Sequence, residues 1–325
     1  MDRSDHAASA ILNEQMQGDD QSPFDLARDI LQMINIFRDD FTLPIVGFGH
    51  STGGTALMEL ARVHPRLFAA LVLVDPIVGP DIFKIGQKLI HSAAYRPDLW
   101  TSKEDAEKFF RDTGSMKRWH PKALQAYLDH ELRVTLTRLY PDPDKATLTT
   151  TKANESFSYV RPCFENSALA GDDANERRFA KYPDWDPTSS DGQFYRAEAM
   201  AVWNNMPRLR PSVLYVVPQH GPFSAAEQID GFVNRTGTGA GGNGGTGAGR
   251  VHHEFMKGQT HLVPVEAPSV CAEVTARFLA EQLPAWGRRR EIARGDADEK
   301  SVDGAALSDE WKRRARLTPK KQSMI

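Results

Sequence analysis

The sequence predicts an α/β fold, a mostly parallel sheet with helices on both faces and a helical insertion between two strands, and four stretches carry that prediction. Leu43-Pro44-Ile45-Val46-Gly47-Phe48 is a short apolar run that reads as a buried strand. Behind it Ala56, Leu57, Leu60 and Ala61 recur at helical spacing until Pro65 stops them. Leu71-Val72-Leu73-Val74 is short, branched and closed by Asp75-Pro76, which makes it a second buried strand. Ser212-Val213-Leu214-Tyr215-Val216-Val217 resumes the pattern after a long gap. Strand, helix and strand in that order form a β-α-β unit, whose strands run parallel because the crossover helix returns the chain to the same end of the sheet.

The remaining elements follow in chain order. Ser22-Pro23-Phe24-Asp25 starts a helix, with Ser22 as N-cap, Pro23 in the first turn and Asp25 at the positive end of the helix dipole. Leu26, Ile30, Leu31, Ile34 and Phe37 give it one apolar face through about Phe37. Between Gly79 and Pro211 helical patches fall at 103–112 and 120–139, a polar loop at 142–156, and Trp100, Trp119, Trp185 and Trp203 are scattered through. Such an insertion is either a lid over a site or simple packing, and the motifs around it put the lid first. Ser224 to Asn234 reads as a helix, Arg250 to Met256 as a weaker strand, and Val270, Val274 and Phe278 as the face of a last core helix. The glycine-rich run 236–249 lacks the Gly-Lys-Ser/Thr of a phosphate loop and joins no strand to a helix, so it is expected to be a flexible loop. The core is thus assigned to residues 1–78 and 211–285, the lid to 79–210 and a charged tail to 286–325.

Bulk composition narrows the function classes. A net charge of −3 over 325 residues gives no basic surplus for nucleic acid. The longest apolar run, 67–74, is far too short to cross a bilayer. Two cysteines, Cys163 and Cys271, are too few for a disulfide framework and suit a reducing, intracellular compartment. The C-terminal Ser323-Met324-Ile325 has the small and aliphatic ends of a peroxisomal address, with Met324 where that signal prefers a base; an ordinary tail is the alternative.

The chemistry centres on Val46-Gly47-Phe48-Gly49-His50-Ser51-Thr52-Gly53-Gly54. A hydroxyl attacks a carbonyl only when its oxygen is exposed and a base stands ready. A serine on a sharp turn between strand and helix meets the first need, and small neighbours let that strained backbone approach the rest of the fold. Gly49 and Gly53 fill those places around Ser51, with Gly54 as extra room. The amide of Thr52, opening the next helix, would face a developing oxyanion. A base is expected far downstream, where His261 sits just before the last helix; His64 reads as a helix end, His50 as packing under the elbow, and His252 and His253 have no metal-ligand spacing. The orienting acid is assigned to Asp75, with Glu227 and Asp230 in reserve, because the end of the 212–217 strand reads Pro218-Gln219-His220 without a carboxylate.

With these residues in place the chain resembles the α/β-hydrolase fold, and within it a fungal group of peroxisomal lipase-like proteins and hydrolases of host-selective toxin pathways. The resemblance rests on 9–14, Ser22 to Leu31, Pro44 to Gly54, Leu71 to Pro76, the glycine-rich loop and Gly258 to Glu266. It implies hydrolysis of an ester, thioester or related acyl bond of a hydrophobic substrate by a serine nucleophile, without a cofactor or metal, in secondary metabolism, with the peroxisome as one location. Acyl transfer by the same triad and an inactive, ligand-binding hydrolase fold are the rivals. The family places several strands and a second oxyanion amide ahead of the elbow, whereas the residues before Leu43 here hold no convincing strand. The front of the sheet is therefore expected to be missing, with the elbow strand at an apolar edge open to self-association.

Overall fold

The computed structural model describes residues 2–80, 82–134, 136–142, 144–164, 172–222, 226–298 and 306–316. Residues 1–280 form one compact unit and residues 281–325 another. The first unit is built on four parallel strands, β1 (Val46–His50), β2 (Ala70–Val74), β3 (Ser212–His220) and β4 (Val251–Thr260), adjacent in that order. The register pairs Val46 with Ala70, Ala70 with Ser212 and Val213 with Val251.

Strand alternation explains why both faces of this sheet are covered. Leu71 and Leu73 of β2, with Val213, Tyr215 and Val217 of β3, point to one face and join a core with Ile34, Leu57, Met58 and Phe232. Ala70, Val72 and Val74, with Leu214 and Val216, point to the other and meet Cys271, Val274 and Phe278. Side chains alternate along a strand, so a run apolar at every position requires a helix on each side. On the first face these are α2 (Pro23–Ile36), α3 (Thr52–Val63) and α10 (Ala226–Arg235); on the second it is the first part of α11 (Pro268–Asp298). A short α1 (Ala7–Leu12) precedes them. Ser22 caps α2 by accepting from the Phe24 amide at 3.1 Å. Residues 2–45 hold these two helices and no strand, and β1 is paired only with β2 among the described residues.

Between β2 and β3 the chain forms α4 (Ile82–Tyr95), α5 (Lys103–Asp112), α6 (Pro121–Glu131), α7 (Lys152–Tyr159), α8 (Asp172–Lys181) and α9 (Ala197–Asn205). The expected helical patch at 120–139 is shorter, because residues 132–133 turn into a strand. Within the expected loop at 142–156, Ala146–Leu148 is a buried strand between Leu99–Trp100 and Leu132–Arg133, and α7 follows with Thr151 capping it through the Asn154 amide. Thr147, Leu148 and Thr149 supply the branched, half-apolar pattern for such a strand. Phe110, Leu128 and Leu148, flanked by Trp100, Trp119 and Tyr127, form this region's own core. Trp203 instead packs against the sheet's core beside Phe232, so α9 covers the sheet as well as closing the insertion.

The glycine-rich segment corrects a third expectation. Asn243 donates to the Pro211 carbonyl at 2.6 Å and accepts from the Gly245 amide at 2.7 Å, and Gly239 donates to Pro207 at 2.8 Å. Gly237 has φ +72°, and a Cβ there would lie 1.9 Å from the Asn243 side chain, so glycine is needed to close the loop on itself. The loop is folded against the entry to β3 rather than free.

Candidate active site

The site grows from three ends of the sheet. β1 runs into Ser51, which stands outside the helix as N-cap of α3 with φ 55° and ψ −123°. Holding a serine at positive φ costs on the order of 1–3 kcal/mol, and the surroundings fix it there. The Ser51 amide donates to Val74 on β2 at 3.0 Å, and its carbonyl accepts from Gly54 at 3.0 Å and Ile77 at 3.3 Å. The turn is tight enough that a Cβ on Gly49 would lie 2.8 Å from Gly53 and Gly54 backbone atoms, and one on Gly54 would lie 2.8 Å from Pro76. Gly53 differs from the expectation: a Cβ there meets nothing within 4 Å, because that position faces the cavity. Gly49 and Gly54 are thus the pair that permits the close approach.

β2 ends at Asp75, also at positive φ (40°), whose amide donates to Val216 of β3 at 3.0 Å. The loop after β4 carries His261. The Asp75 Oδ2 lies 2.7 Å from His261 Nδ1, and His261 Nε2 lies 3.0 Å from Ser51 Oγ. Asp75 is 1% exposed and His261 24%, so the carboxylate is shut away from water while the imidazole opens onto the cavity. Burial pushes the Asp75 carboxyl above the usual range, opposed by its bond to His261. With Nδ1–H held by the carboxylate, Nε2 is left as the acceptor that faces the serine hydroxyl. Thr52 opens α3, where its amide has no carbonyl four residues back to bond within the helix.

His50 is closer to the chemistry than packing alone. Its Nε2 donates to the His261 carbonyl at 2.8 Å, with ring centroids 4.6 Å apart. Burial, with the neighbouring His261, depresses its pKa to about 4. His64 is the C-cap of α3 as its sequence position predicts. Of the reserve acids, Asp230 is exposed on α10, and the side chain of Glu227 lies outside the described residues, as do Ser323-Met324-Ile325. Gln219, at the end of β3, accepts from the Gly258 amide at 2.7 Å and so holds the loop that carries His261.

A further support was not legible in the sequence. Glu266 accepts from the Thr260 amide at 2.9 Å, the Thr260 hydroxyl at 2.8 Å and Arg118 Nε at 2.9 Å. Arg118 also donates to Gly258 at 2.8 Å, and His120 donates its amide to Val265 at 2.8 Å. Burial would raise the Glu266 carboxyl, but Arg118 and Thr260 hold it below its usual range. The signal for this pairing is tertiary, since Arg118 and Glu266 are far apart in the chain.

A cavity of about 1360 Å³ opens over these groups, lined by Ser51, Thr52 and His261 at one end and by Leu89, Met116, Trp119 and Leu148 from the insertion. Among the described residues no cluster of side chains is arranged to hold a metal ion, and no helix is long and apolar enough to cross a membrane.

A serine on a strand-to-helix turn of a parallel sheet, with helices on both faces and an insertion overhead, defines a hydrolase of the α/β class. Comparison with known proteins narrows this. The chain is 32% identical over 323 residues to the type I acyl-CoA thioesterase mpaH' of Penicillium brevicompactum, covering 93% of this chain and 73% of the relative. It is 24% identical over 247 residues to the abhydrolase domain-containing protein AFT2-1 of Alternaria alternata, covering 75% of this chain and 86% of that one. The peroxisomal alpha-beta-hydrolase Lpx1 of Saccharomyces cerevisiae shares the fold, with a TM-score of 0.58 at 17% identity over 97% of this chain and 73% of that one. No family model matches the chain. The chain belongs to the family of α/β-hydrolases that includes these acyl-CoA thioesterases, and it is a hydrolase.

Proposed function

We propose that the chain hydrolyses a thioester or ester of a bulky, largely apolar acyl group, with an acyl-CoA as the first substrate to test, and that Ser51, His261, Asp75 and the Thr52 amide carry the reaction. The observation that supports this most is the unbroken row from Asp75 through His261 to Ser51, at 2.7 and 3.0 Å. Ser51 Oγ attacks the acyl carbonyl as His261 Nε2 takes its proton, and the new oxyanion faces the Thr52 N–H. Collapse of the tetrahedral intermediate breaks the bond to the thiolate or alkoxide, which leaves with the proton from His261. Water, deprotonated by His261, then attacks the acyl-serine, and collapse breaks the bond to Ser51 Oγ, which takes that proton back from His261 as the acid is released. Asp75 stays ionised, holds the tautomer with Nδ1–H and stabilises the imidazolium.

The apolar cavity supports a bulky acyl group, and the thioesterase among the relatives supports the thioester. The inactive, ligand-binding alternative is opposed by the 3.0 Å approach of His261 to Ser51, which a relic site has no reason to keep. Hydrolysis of acyl-CoA and p-nitrophenyl esters by the purified chain, beside Ser51→Ala, tests the proposal: turnover lost in the variant supports it, and turnover retained contradicts it. A role in fungal secondary metabolism and a peroxisomal address at Ser323-Met324-Ile325 belong to the same proposal. A fluorescent fusion with and without those three residues tests the address, and an unchanged diffuse signal removes it.

A further inference from the structure

The insertion's side of the cavity has a chemistry that acyl hydrolysis at Ser51 does not use. Beside the apolar Leu89, Met116, Trp119 and Leu148, it presents polar side chains, among them Arg96, Tyr127, Glu131, Glu155 and Tyr159. They come from the end of α4, from α6 and from α7. Arg96 pairs with Glu155 through both terminal nitrogens, and the Tyr159 hydroxyl donates to Glu155 at 2.7 Å. Glu131 accepts through one oxygen from the hydroxyls of Thr149 at 2.7 Å and Thr150 at 3.0 Å.

Capacity is left over after this pairing. Arg96 Nε is a buried donor with no hydrogen-bond partner. The Tyr127 hydroxyl makes no hydrogen bond among the described residues, nor does the second oxygen of Glu131. Burial holds the Tyr127 hydroxyl protonated well above the ordinary tyrosine range, so it remains a donor at any working pH. Buried polar groups are nearly always satisfied, and a few convergent ones in an apolar cavity fix the orientation of a ligand. Glu131 is bonded only to the two threonine hydroxyls and has no ion pair among the described residues, so its carboxylate disfavours an anionic group beside it. A neutral hydroxyl suits it, accepting from Tyr127 and donating to Glu131.

We propose that this wall is a hydroxyl-binding subsite, so that the preferred acyl group carries a neutral hydroxyl remote from the reacting carbonyl. The proposal rests on the reading of Ser51 as the nucleophile. A plain alkyl chain would cover Tyr127, Arg96 and Glu131 with hydrocarbon, and a site built to bond a hydroxyl rejects the analogue lacking it.

The test compares p-nitrophenyl esters of alkanoic, ω-hydroxyalkanoic and ω-carboxyalkanoic acids over a ladder of matched chain lengths. At the length where the terminus reaches the wall, kcat/KM for the hydroxyl ester should exceed that for the alkyl ester by on the order of ten- to a hundredfold. The carboxyl ester should be the poorest. Tyr127→Phe, which keeps the ring packing, should reduce the hydroxyl-to-alkyl ratio severalfold. Ratios within about twofold at every length, or a ratio unmoved by Tyr127→Phe, would overturn the subsite. Calorimetric binding of the same uncleaved esters to Ser51→Ala separates the two claims. Equal affinity for hydroxyl and alkyl esters overturns the subsite whatever happens at Ser51, whereas a hydroxyl preference in binding without turnover by the wild-type chain supports the subsite and contradicts the nucleophile.

Discussion

At Gly49 a single methyl group decides whether the serine turn closes. An alanine there would press its Cβ against Gly53 and Gly54 backbone at 2.8 Å, whereas at Gly53 the same methyl would meet open space. Gly49→Ala should therefore lower Tm by several degrees and abolish esterase activity, while Gly53→Ala should keep the Tm and lose only substrate fit; a thermal melt beside an activity assay checks both. His50 belongs to this scale too. Its pKa is depressed to about 4 in the fold against about 6.5 in an unfolded chain, so the native state binds fewer protons between those values. The stability it contributes is present above about pH 6.5 and lost as the pH falls through about 4, up to roughly 3 kcal/mol. Asp75, held above its usual range by burial, works in the opposite direction in acid. Urea melts from pH 7 to 4 on the wild type and His50→Gln should show the steeper loss in the wild type.

Among the elements, the loop after β4 decides where His261 points. It is tied to the sheet by Gln219 and His50 and to the insertion by Arg118 through Glu266. Removing Arg118 would leave the nearly buried Glu266 carboxylate without its cation. Arg118→Gln should lower kcat about tenfold with a smaller change in KM, since it moves the base rather than the pocket; steady-state kinetics across a chain-length series read the split. Element existence was legible where periodicity is strong: Leu26 to Ile34, Ala56 to Ala61, Leu71 to Val74 and Val213 to Val217 all fall on elements of the expected type. The 142–156 segment was not, because its strand is three residues long and gains its partners from residues 99–100 and 132–133, which no local window contains. The glycine-rich loop misleads for a related reason. Its order comes from Asn243 reaching the Pro211 carbonyl, while composition alone speaks only of backbone freedom.

For the molecule as a whole, the open side of β1 is the feature with consequences. Phe48 is 49% exposed and Leu43 42% exposed near that edge. An apolar edge strand with unpaired backbone groups is a template for another chain. Phe48→Lys should raise the monomer fraction in light scattering at high protein concentration without altering the Ser51–His261 distance; an unchanged mass distribution would show that the edge is not used. Ser51, Thr52 and His261 are singled out by motif and chain order and Asp75 by its place after β2, and the structure brings Ser51, His261 and Asp75 within hydrogen-bonding distance. The polar wall and the Arg118–Glu266 tie were not, since they depend on how the insertion folds over the sheet.

Whether the Asp75–His261–Ser51 row makes Ser51 a nucleophile is read by intact-mass measurement after brief exposure to a fluorophosphonate probe, on the wild-type chain beside Ser51→Ala and Asp75→Asn. One adduct is expected, mapped to Ser51, absent in Ser51→Ala and formed at least a hundredfold more slowly in Asp75→Asn. No adduct on a folded wild-type chain, or labelling at full rate in Asp75→Asn, would contradict that role of the row.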